Sequence, residues 1–144
     1  MIYTKMTKLA LRLCFDSHKE QNDKSGMPYV FHPFHLAEQM QDEDSTIVAL
    51  LHDVVEDTDM TIEGLRDMGF SERVCDAISL MTHKDGVPYM EYVASIKQNP
   101  IAKAVKLADL RHNSDMTRLD SITLIDVARE EKYRRAIEIL LSDE

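Results

Sequence analysis

Two ionisable residues, His52 and Asp53, stand in the most apolar segment of the chain, directly after the four apolar residues 48–51. A buried carboxylate without a partner costs several kcal/mol, so these side chains must be paired or must bind a metal. Glu56 and Asp57 follow four residues later, which places four polar groups on one predicted helix face. Two interpretations are open at this point: metal-dependent hydrolytic chemistry, or a polar helix end whose last residues cap the next helix.

Other segments supply further metal-ligand candidates. His32 lies where a loop meets a predicted helix, and Asp109 lies in another apolar helical segment. Together with His52 and Asp53 they form a mixed nitrogen and oxygen donor set, which suits Mn²⁺, Fe²⁺ or Zn²⁺ better than Mg²⁺ or Ca²⁺. Water bound to such a metal has a pKa near ~7, and neighbouring carboxylates can orient or deprotonate it.

Three segments, in this order along the chain, carry a family resemblance. They are residues 25–33 (SGMPYVFHP), 52–58 (HDVVEDT) and 105–113 (VKLADLRHN). These segments resemble the HD-superfamily hydrolase domain of RelA/SpoT homologues, enzymes that remove the 3′-pyrophosphate from the alarmones ppGpp and pppGpp. The similarity extends from about His18 to Asn113. It implies a metal-dependent pyrophosphohydrolase for (p)ppGpp-like nucleotides, of the small alarmone hydrolase type.

The resemblance also implies roles for individual residues. Family members hold a single Mn²⁺, with other divalent metals as alternatives, and they use an acidic pair to activate the attacking water. The implied residues are His32, His52, Asp53 and Asp109 for the metal, Glu56 and Asp57 for the water, and Lys24, Ser25, Lys106 and Asn113 for the guanosine and its phosphates.

Asp23 departs from the family pattern. Family members usually place an arginine–lysine pair before Ser-Gly, whereas here an acid precedes Lys24. Replacing a cation that contacts a nucleotide by a carboxylate changes both charge and hydrogen-bond pattern. Two alternatives therefore stay open: an HD-type nucleotide phosphohydrolase with a different substrate, and a non-catalytic nucleotide-sensing domain. Lys106 also keeps an alternative, that of a solvated helix lysine.

Length and composition exclude several other classes. The 144 residues are close to the ~150 of one ordinary domain, so we expect a single domain over residues 1–144. The resemblance implies that it is an HD-type phosphohydrolase domain. The net charge of −9 opposes binding to nucleic acid, and no apolar run reaches the ~20 residues that span a bilayer. The expected partner is a small nucleotide substrate, without nucleic acid or membrane, and a homo-oligomer is left open. The first twelve residues lack the apolar segment of a signal peptide, which predicts a cytoplasmic protein.

Charge is unevenly distributed along the chain. Bases are concentrated in residues 1–24 and again in the last third, whereas residues 25–99 carry a large excess of acids. An anion site should therefore draw on the two ends of the chain, and a cation site on its middle. Cys14 and Cys75 fall in helical apolar patterns and are expected to be small buried hydrophobic residues.

The spacing of apolar residues is helical throughout, which predicts an all-α bundle of seven or eight helices. The family resemblance implies that this bundle is an HD domain. The expected boundaries follow from caps, glycines and prolines. No partner for His112 is visible from the sequence. We predict a first helix ending near His18, a loop over 22–28, Pro33 in the first turn of the second helix, Asp44 and Ser45 as caps of the third, a helix over 101–116, and Ser121 as the cap of a final helix to Leu141.

Overall fold

The computed structural model describes residues 1–143, and this part of the chain is helical without a β-strand. An isolated antiparallel bridge joins Asn22 and Pro28. Without the one-turn α4 the α-helices number eight over residues 1–143, so the predicted all-α bundle is confirmed. The bounds are α1 Lys5–His18, α2 Phe31–Glu38, α3 Glu43–Leu51, α4 Val54–Asp57, α5 Ile62–Asp67, α6 Glu72–Met81, α7 Tyr89–Ile96, α8 Pro100–Asn113, a 3₁₀ turn Met116–Arg118 and α9 Leu124–Leu141.

Helix α3 is the centre of the bundle. Its residues 45–51 are all buried, and α1, α2, α6 and α8 pack around it. A helix that is apolar on every side must be covered on every side, which explains why this segment shows no polar stripe. Helix α9 covers α7 and α8. The chain that leaves α3 therefore emerges among the helices that surround it.

The start of α3 differs from the prediction. Asp42, rather than Asp44 or Ser45, is the N-cap: its backbone is extended and its carboxylate accepts the backbone N–H of Ser45 at 2.8 Å. The hydroxyl of Ser45 also donates to this carboxylate at 2.7 Å. The polar segment before α3 contains several residues that can cap a helix. The N-cap is the one whose side chain reaches the third backbone N–H of the helix.

The last two helices also have different limits from those expected. Helix α8 ends at Asn113, and Met116 begins the separate 3₁₀ turn. Thr123, not Ser121, caps α9: its hydroxyl accepts the N–H of Asp126 at 3.3 Å, and the Asp126 carboxylate accepts the N–H of Thr123 at 2.9 Å. This reciprocal capping box satisfies two backbone donors at once, which a serine at 121 does not.

The helix expected to carry His52, Asp53, Glu56 and Asp57 is interrupted. Helix α3 ends at residue 51, the chain bends through His52 and Asp53, and the single turn α4 follows. The prediction of one continuous helix is therefore wrong. The N–H of Asp57 still donates to the carbonyl of Asp53 at 2.9 Å, so the one-turn spacing of the acids is kept.

The loop between α1 and α2 is organised by Asp23. One carboxylate oxygen accepts the backbone N–H groups of Ser25 (2.9 Å) and Met27 (3.0 Å) and the Ser25 hydroxyl (2.9 Å). Gly26 has a φ of 82°, the left-handed region that favours glycine. Asp23 thus folds the segment that presents Lys24 and Ser25.

Two further expectations concern burial and membranes. Cys14 and Cys75 are buried and not in disulfides, as predicted, and burial raises the pKa of the Cys14 thiol to about 12. Over residues 1–143, the helices fall short of the length and apolar character that crossing a membrane requires.

Candidate metal centre and active-site cavity

His32, His52 and Asp109 meet beside the end of α3. His32 comes from α2, His52 follows α3, and Asp109 comes from α8. All three are buried, and one ligand atom from each lies within 4.8 Å of the others. The Nε2 atom of His32 is 2.8 Å from Oδ1 of Asp109, and that of His52 is 3.6 Å from the same oxygen. The structure thus brings together three of the four predicted metal ligands.

The imidazole of His52 has an unsatisfied nitrogen. Its Nδ1 lies 2.7 Å from the carbonyl oxygen of Ala49, so this nitrogen carries the proton and donates. The Nε2 atom is buried and has no hydrogen-bond partner. Its nearest charged neighbours are Oδ2 of Asp53 at 3.3 Å and Oδ1 of Asp109 at 3.6 Å. Burial alone would lower the pKa of His52, but Asp53 and Asp109 raise it well above its usual range, so this nitrogen faces a position that a proton or a bound cation stabilises.

Asp53, the fourth predicted ligand, stands outside the group of three. One of its oxygens accepts the hydroxyl of Tyr29, and its carboxylate faces the cavity. Burial alone would raise the pKa of Asp53, but His52 and the Tyr29 hydroxyl outweigh it and lower the pKa to about 2. Asp53 is therefore an ionised carboxylate next to the three converging side chains.

Three side chains surround the carboxylate of Asp109. Nε2 of His32 lies 2.8 Å from one of its oxygens, and the carboxylate accepts from Nζ of Lys106 at 3.0 Å and from the Asn113 amide at 3.1 Å. Burial opposes its ionisation, but the Lys106 ammonium holds the pKa of Asp109 well below its usual range. The carboxylate is thus charged and fixed in orientation.

Lys106 requires a correction to both sequence interpretations. It is buried, with its ammonium on Asp109 and 5.3 Å from the ring centre of Tyr92, so it is not a solvated lysine. It also does not line the cavity, where a substrate contact would have to lie. The i,i+3 spacing on α8 brings the two charges together. Lys106 is the residue that orients Asp109.

His112 has a partner that the sequence did not reveal. Its ring stacks on that of His32, with centroids 5.0 Å apart and planes at 6°, and the two Nδ1 atoms are 2.7 Å apart. Burial, Arg118 and the neighbouring histidines lower the pKa of His112 to about 4, so its ring is neutral near pH 7. A neutral ring can accept the His32 Nδ1 proton and leave Nε2 of His32 free as a ligand. The sequence signal that could have indicated this role of His112 is its spacing of three residues from Asp109, which places both side chains on one face of α8.

Glu56 and Asp57 open onto the cavity beside this centre. Glu56 accepts the backbone N–H of His83, and Asp57 accepts the amide of Gln21 at 3.3 Å. The surrounding protein withdraws water from both carboxylates and raises the pKa of each. Two acids of raised basicity beside a buried donor set are suited to accept a proton from water.

A cavity of about 350 Å³ connects these groups. Of the residues predicted to contact substrate, Lys24, Ser25 and Asn113 line it. The wall also includes residues that sequence reasoning missed, among them Arg118 and Arg129. The bases of this wall come from the two ends of the chain, as the charge distribution predicted. The charge distribution also predicted that a cation site would use residues from the middle of the chain. Asp109, one of the three candidate metal ligands, comes instead from the last third.

Fold and centre together define a class of protein. Over residues 1–143 the protein is an all-helical bundle in which two buried histidines and a carboxylate converge beside an acid-lined cavity. No family model matches the chain. The comparisons with individual proteins are more specific.

The chain is 33% identical over 132 residues to a protein of Aquifex aeolicus named guanosine-3′,5′-bis(diphosphate) 3′-pyrophosphohydrolase, a match covering 83% of this chain and 18% of that protein. It is 33% identical over 135 residues to a GTP pyrophosphokinase of Streptomyces coelicolor, covering 85% of this chain and 15% of the relative. The chain is therefore homologous to one segment of these proteins. The resemblance to RelA/SpoT homologues is confirmed, and the chain spans less than a fifth of the length of these curated relatives.

A solved structure shares the fold. It is described as "A metazoan ortholog of SpoT hydrolyzes ppGpp and plays a role in starvation responses". The TM-score is 0.79 at 23% identity, and the match covers 99% of this chain and 89% of that one. The helical arrangement around the centre is thus that of this structure.

Proposed function

We propose that the protein is a metal-dependent pyrophosphohydrolase that removes the 3′-pyrophosphate from (p)ppGpp-like nucleotides. Residues 1–144 would form a single HD-type phosphohydrolase domain that acts on a small nucleotide in the cytoplasm. The observation that carries the proposal is the unpartnered Nε2 of His52, which is buried and faces two carboxylates beside His32. The names of the homologues and their identity over most of this chain support the choice of substrate.

The donor set fits a metal such as Mn²⁺. His32, His52 and Asp109 would hold it, with Asp53, whose carboxylate lies 3.3 Å from Nε2 of His52, as a fourth ligand. Two imidazole nitrogens with carboxylate oxygens suit Mn²⁺ and its neighbours in the first transition row. When bound, the metal would supply Lewis-acid polarisation and lower the pKa of water at the site.

The proton transfer from the attacking water would be performed by side chains of the protein. Glu56 and Asp57 would accept the proton of the attacking water, because both face the cavity and both have a raised pKa. The water oxygen forms a bond to the phosphorus next to the ribose 3′-oxygen, and the bond from that phosphorus to the 3′-oxygen breaks. The 3′-oxygen takes up a proton, and pyrophosphate leaves together with GDP or GTP.

Substrate positioning would fall to the wall of the cavity. Lys24 offers a cation and Ser25 a hydroxyl from the loop that Asp23 organises. Asn113 lines the cavity while its amide is bound to Asp109, which ties substrate position to the orientation of the metal ligand. Lys106 would act only through Asp109.

Incubation of the purified chain and Mn²⁺ with ppGpp tests the proposal. We expect stoichiometric pyrophosphate and GDP, and a kcat lower by about 10²- to 10⁴-fold in Glu56→Gln or Asp57→Asn, the range for loss of a general base. Glu63→Gln, an exposed acid of α5, is the matched control and should behave as wild type. Absence of pyrophosphate at high enzyme concentration would contradict the proposal.

A nucleotide panel separates the two alternatives that the sequence left open. Acids outnumber bases on the cavity wall, which keeps a substrate other than (p)ppGpp under consideration. Release of orthophosphate from other nucleotides, without pyrophosphate from ppGpp, would indicate a broader HD-type phosphohydrolase. Metal and nucleotide binding without turnover of any compound would indicate a nucleotide-sensing domain.

A further inference from the structure

Arg118 is held on the cavity wall between two partners from different elements. Its NH1 group donates to the carbonyl of His112 at 2.9 Å, and its NH2 group to Oδ2 of Asp23 at 3.4 Å. His112 stacks on the metal-centre residue His32, and Asn113 follows it in sequence. The guanidinium is therefore anchored at the side of the cavity that adjoins the metal centre.

The guanidinium has capacity beyond these two contacts. An arginine carries five N–H donors, of which the hydrogen bonds to His112 and Asp23 use two. The side chain is 27% exposed and lines the cavity. Arg129, also on the wall, is bound to Asp126 one turn away on its own helix. Arg118 thus offers unused donors to a ligand in the cavity.

The contact between Arg118 and Asp23 is easily exchanged. The two groups are 3.4 Å apart and both are partly exposed, and pairs of this kind contribute little stability. Asp23 does not need the arginine, because its other oxygen is satisfied by the loop that it organises. A phosphate group can form two parallel hydrogen bonds with a guanidinium, which is a stronger arrangement.

We propose that Arg118 is a specificity-determining residue that exchanges Asp23 for a phosphate group of the substrate. This inference rests on the proposed function for the identity of the substrate. The acid at position 23 is then compatible with anion binding, since it holds an arginine at the wall until a phosphate replaces it. A ligand without a phosphate group at this point gains nothing from the exchange.

The test uses the full chain and two measurements with ppGpp. Calorimetry in EDTA gives the Kd of the metal-free protein, and steady-state kinetics with Mn²⁺ give KM and kcat. We expect Arg118→Gln to raise Kd and KM by about 10- to 100-fold, the loss of one charge-assisted hydrogen bond, with kcat changed much less. Arg118→Lys should recover part of the loss, because it restores the charge but not the planar fork.

The Asp23→Asn variant distinguishes two roles of Asp23: a partner that Arg118 exchanges for a phosphate group, or a residue that only holds Arg118 in place. The amide oxygen can still accept from the loop, but it no longer neutralises the guanidinium, so Kd and KM should fall several-fold. Arg66→Gln is the control, because Arg66 is also paired with acids but lies on α5, away from the cavity wall. Weaker ppGpp binding in Asp23→Asn would contradict the proposal that Arg118 exchanges Asp23 for a phosphate group.

The two proposals fail in different ways. If wild type hydrolyses ppGpp and Arg118→Gln matches Arg66→Gln in Kd and KM, this inference is wrong and the proposed function stands. If wild type binds ppGpp without hydrolysing it and Arg118→Gln weakens binding, the inference stands and the function is wrong. If wild type neither binds nor hydrolyses ppGpp, both are wrong.

Discussion

The candidate metal centre and the cavity wall are built by different means. In the centre, His32, His52 and Asp109 are buried, and the ammonium of Lys106 lies 3.0 Å from the Asp109 carboxylate. On the wall, the charged groups are partly exposed and are held by looser pairs, such as Arg118 with Asp23 at 3.4 Å. The packed core imposes the geometry of the centre, whereas surface ion pairs hold the wall.

This difference assigns separate tasks to the two regions. Close-packed interiors fix side-chain positions, so the centre can hold ligand atoms in place before any ligand arrives. Surface ion pairs contribute about 0–1 kcal/mol each and can be exchanged at little cost. Changes in the centre, and at Glu56 and Asp57 beside it, should therefore affect kcat, metal binding or stability, whereas changes at the residues of the wall that contact substrate should affect KM.

The largest effect is expected at His52. His52→Asn can keep a donor near the carbonyl of Ala49 but removes the unpartnered Nε2. Loss of a metal ligand removes several kcal/mol of transition-state stabilisation, so kcat for ppGpp should fall by roughly a thousand-fold. Glu63→Gln, at an exposed position of α5, is the control in the same steady-state assay. A kcat for His52→Asn within about tenfold of wild type would remove the distinction between centre and wall.

Lys106 tests whether the centre depends on internal charge pairing. Lys106→Met leaves the buried Asp109 without its ammonium partner, which should lower the free energy of unfolding in EDTA by about 3 kcal/mol. Urea denaturation measures this loss, and Lys8→Met, an exposed lysine of α1, is the control. Added Mn²⁺ should reduce the difference, because it supplies another cation to Asp109. Equal stability of the two variants would show that the pair is not needed.

The buried pairing at Lys106 also shows where sequence reasoning ended. The motifs identified His32, His52, Asp53 and Asp109, because histidines and carboxylates in apolar segments need a partner. They could not show that Lys106 points inwards, since helical spacing alone does not say which face of α8 is covered. That depends on the packing of α8 against α3, α6 and α9.

The wall was harder to predict than the centre. Lys24, Ser25 and Asn113 were found through the family resemblance, and all three line the cavity. Arg118 belongs to a 3₁₀ turn with no apolar periodicity, and its contact with Asp23 spans 95 positions of the chain. Neither composition nor spacing encodes such a contact, because it arises only when α8 and the loop after α1 are placed side by side.

A smaller effect is expected in the pH dependence of stability. The protein raises the pKa of Glu56 and Asp57, so their folded forms bind protons more tightly than the unfolded chain does. Their contribution is present below the ordinary carboxyl pKa of about 4 and is lost as pH rises through the raised values. The double variant Glu56→Gln, Asp57→Asn should therefore show a flatter stability profile above about pH 4 in EDTA. Urea denaturation across pH measures this, and a profile as steep as that of wild type would contradict it.

The stoichiometry of Mn²⁺ binding, measured by electron paramagnetic resonance during titration of the metal-free chain, tests the metal site most directly. We expect one Mn²⁺ per wild-type chain, none at comparable concentration in His52→Asn, and unchanged binding in Arg118→Gln. A wild-type chain that binds no Mn²⁺, or a His52→Asn chain that binds it as wild type does, would contradict the central claim that the buried imidazoles and Asp109 form a metal site.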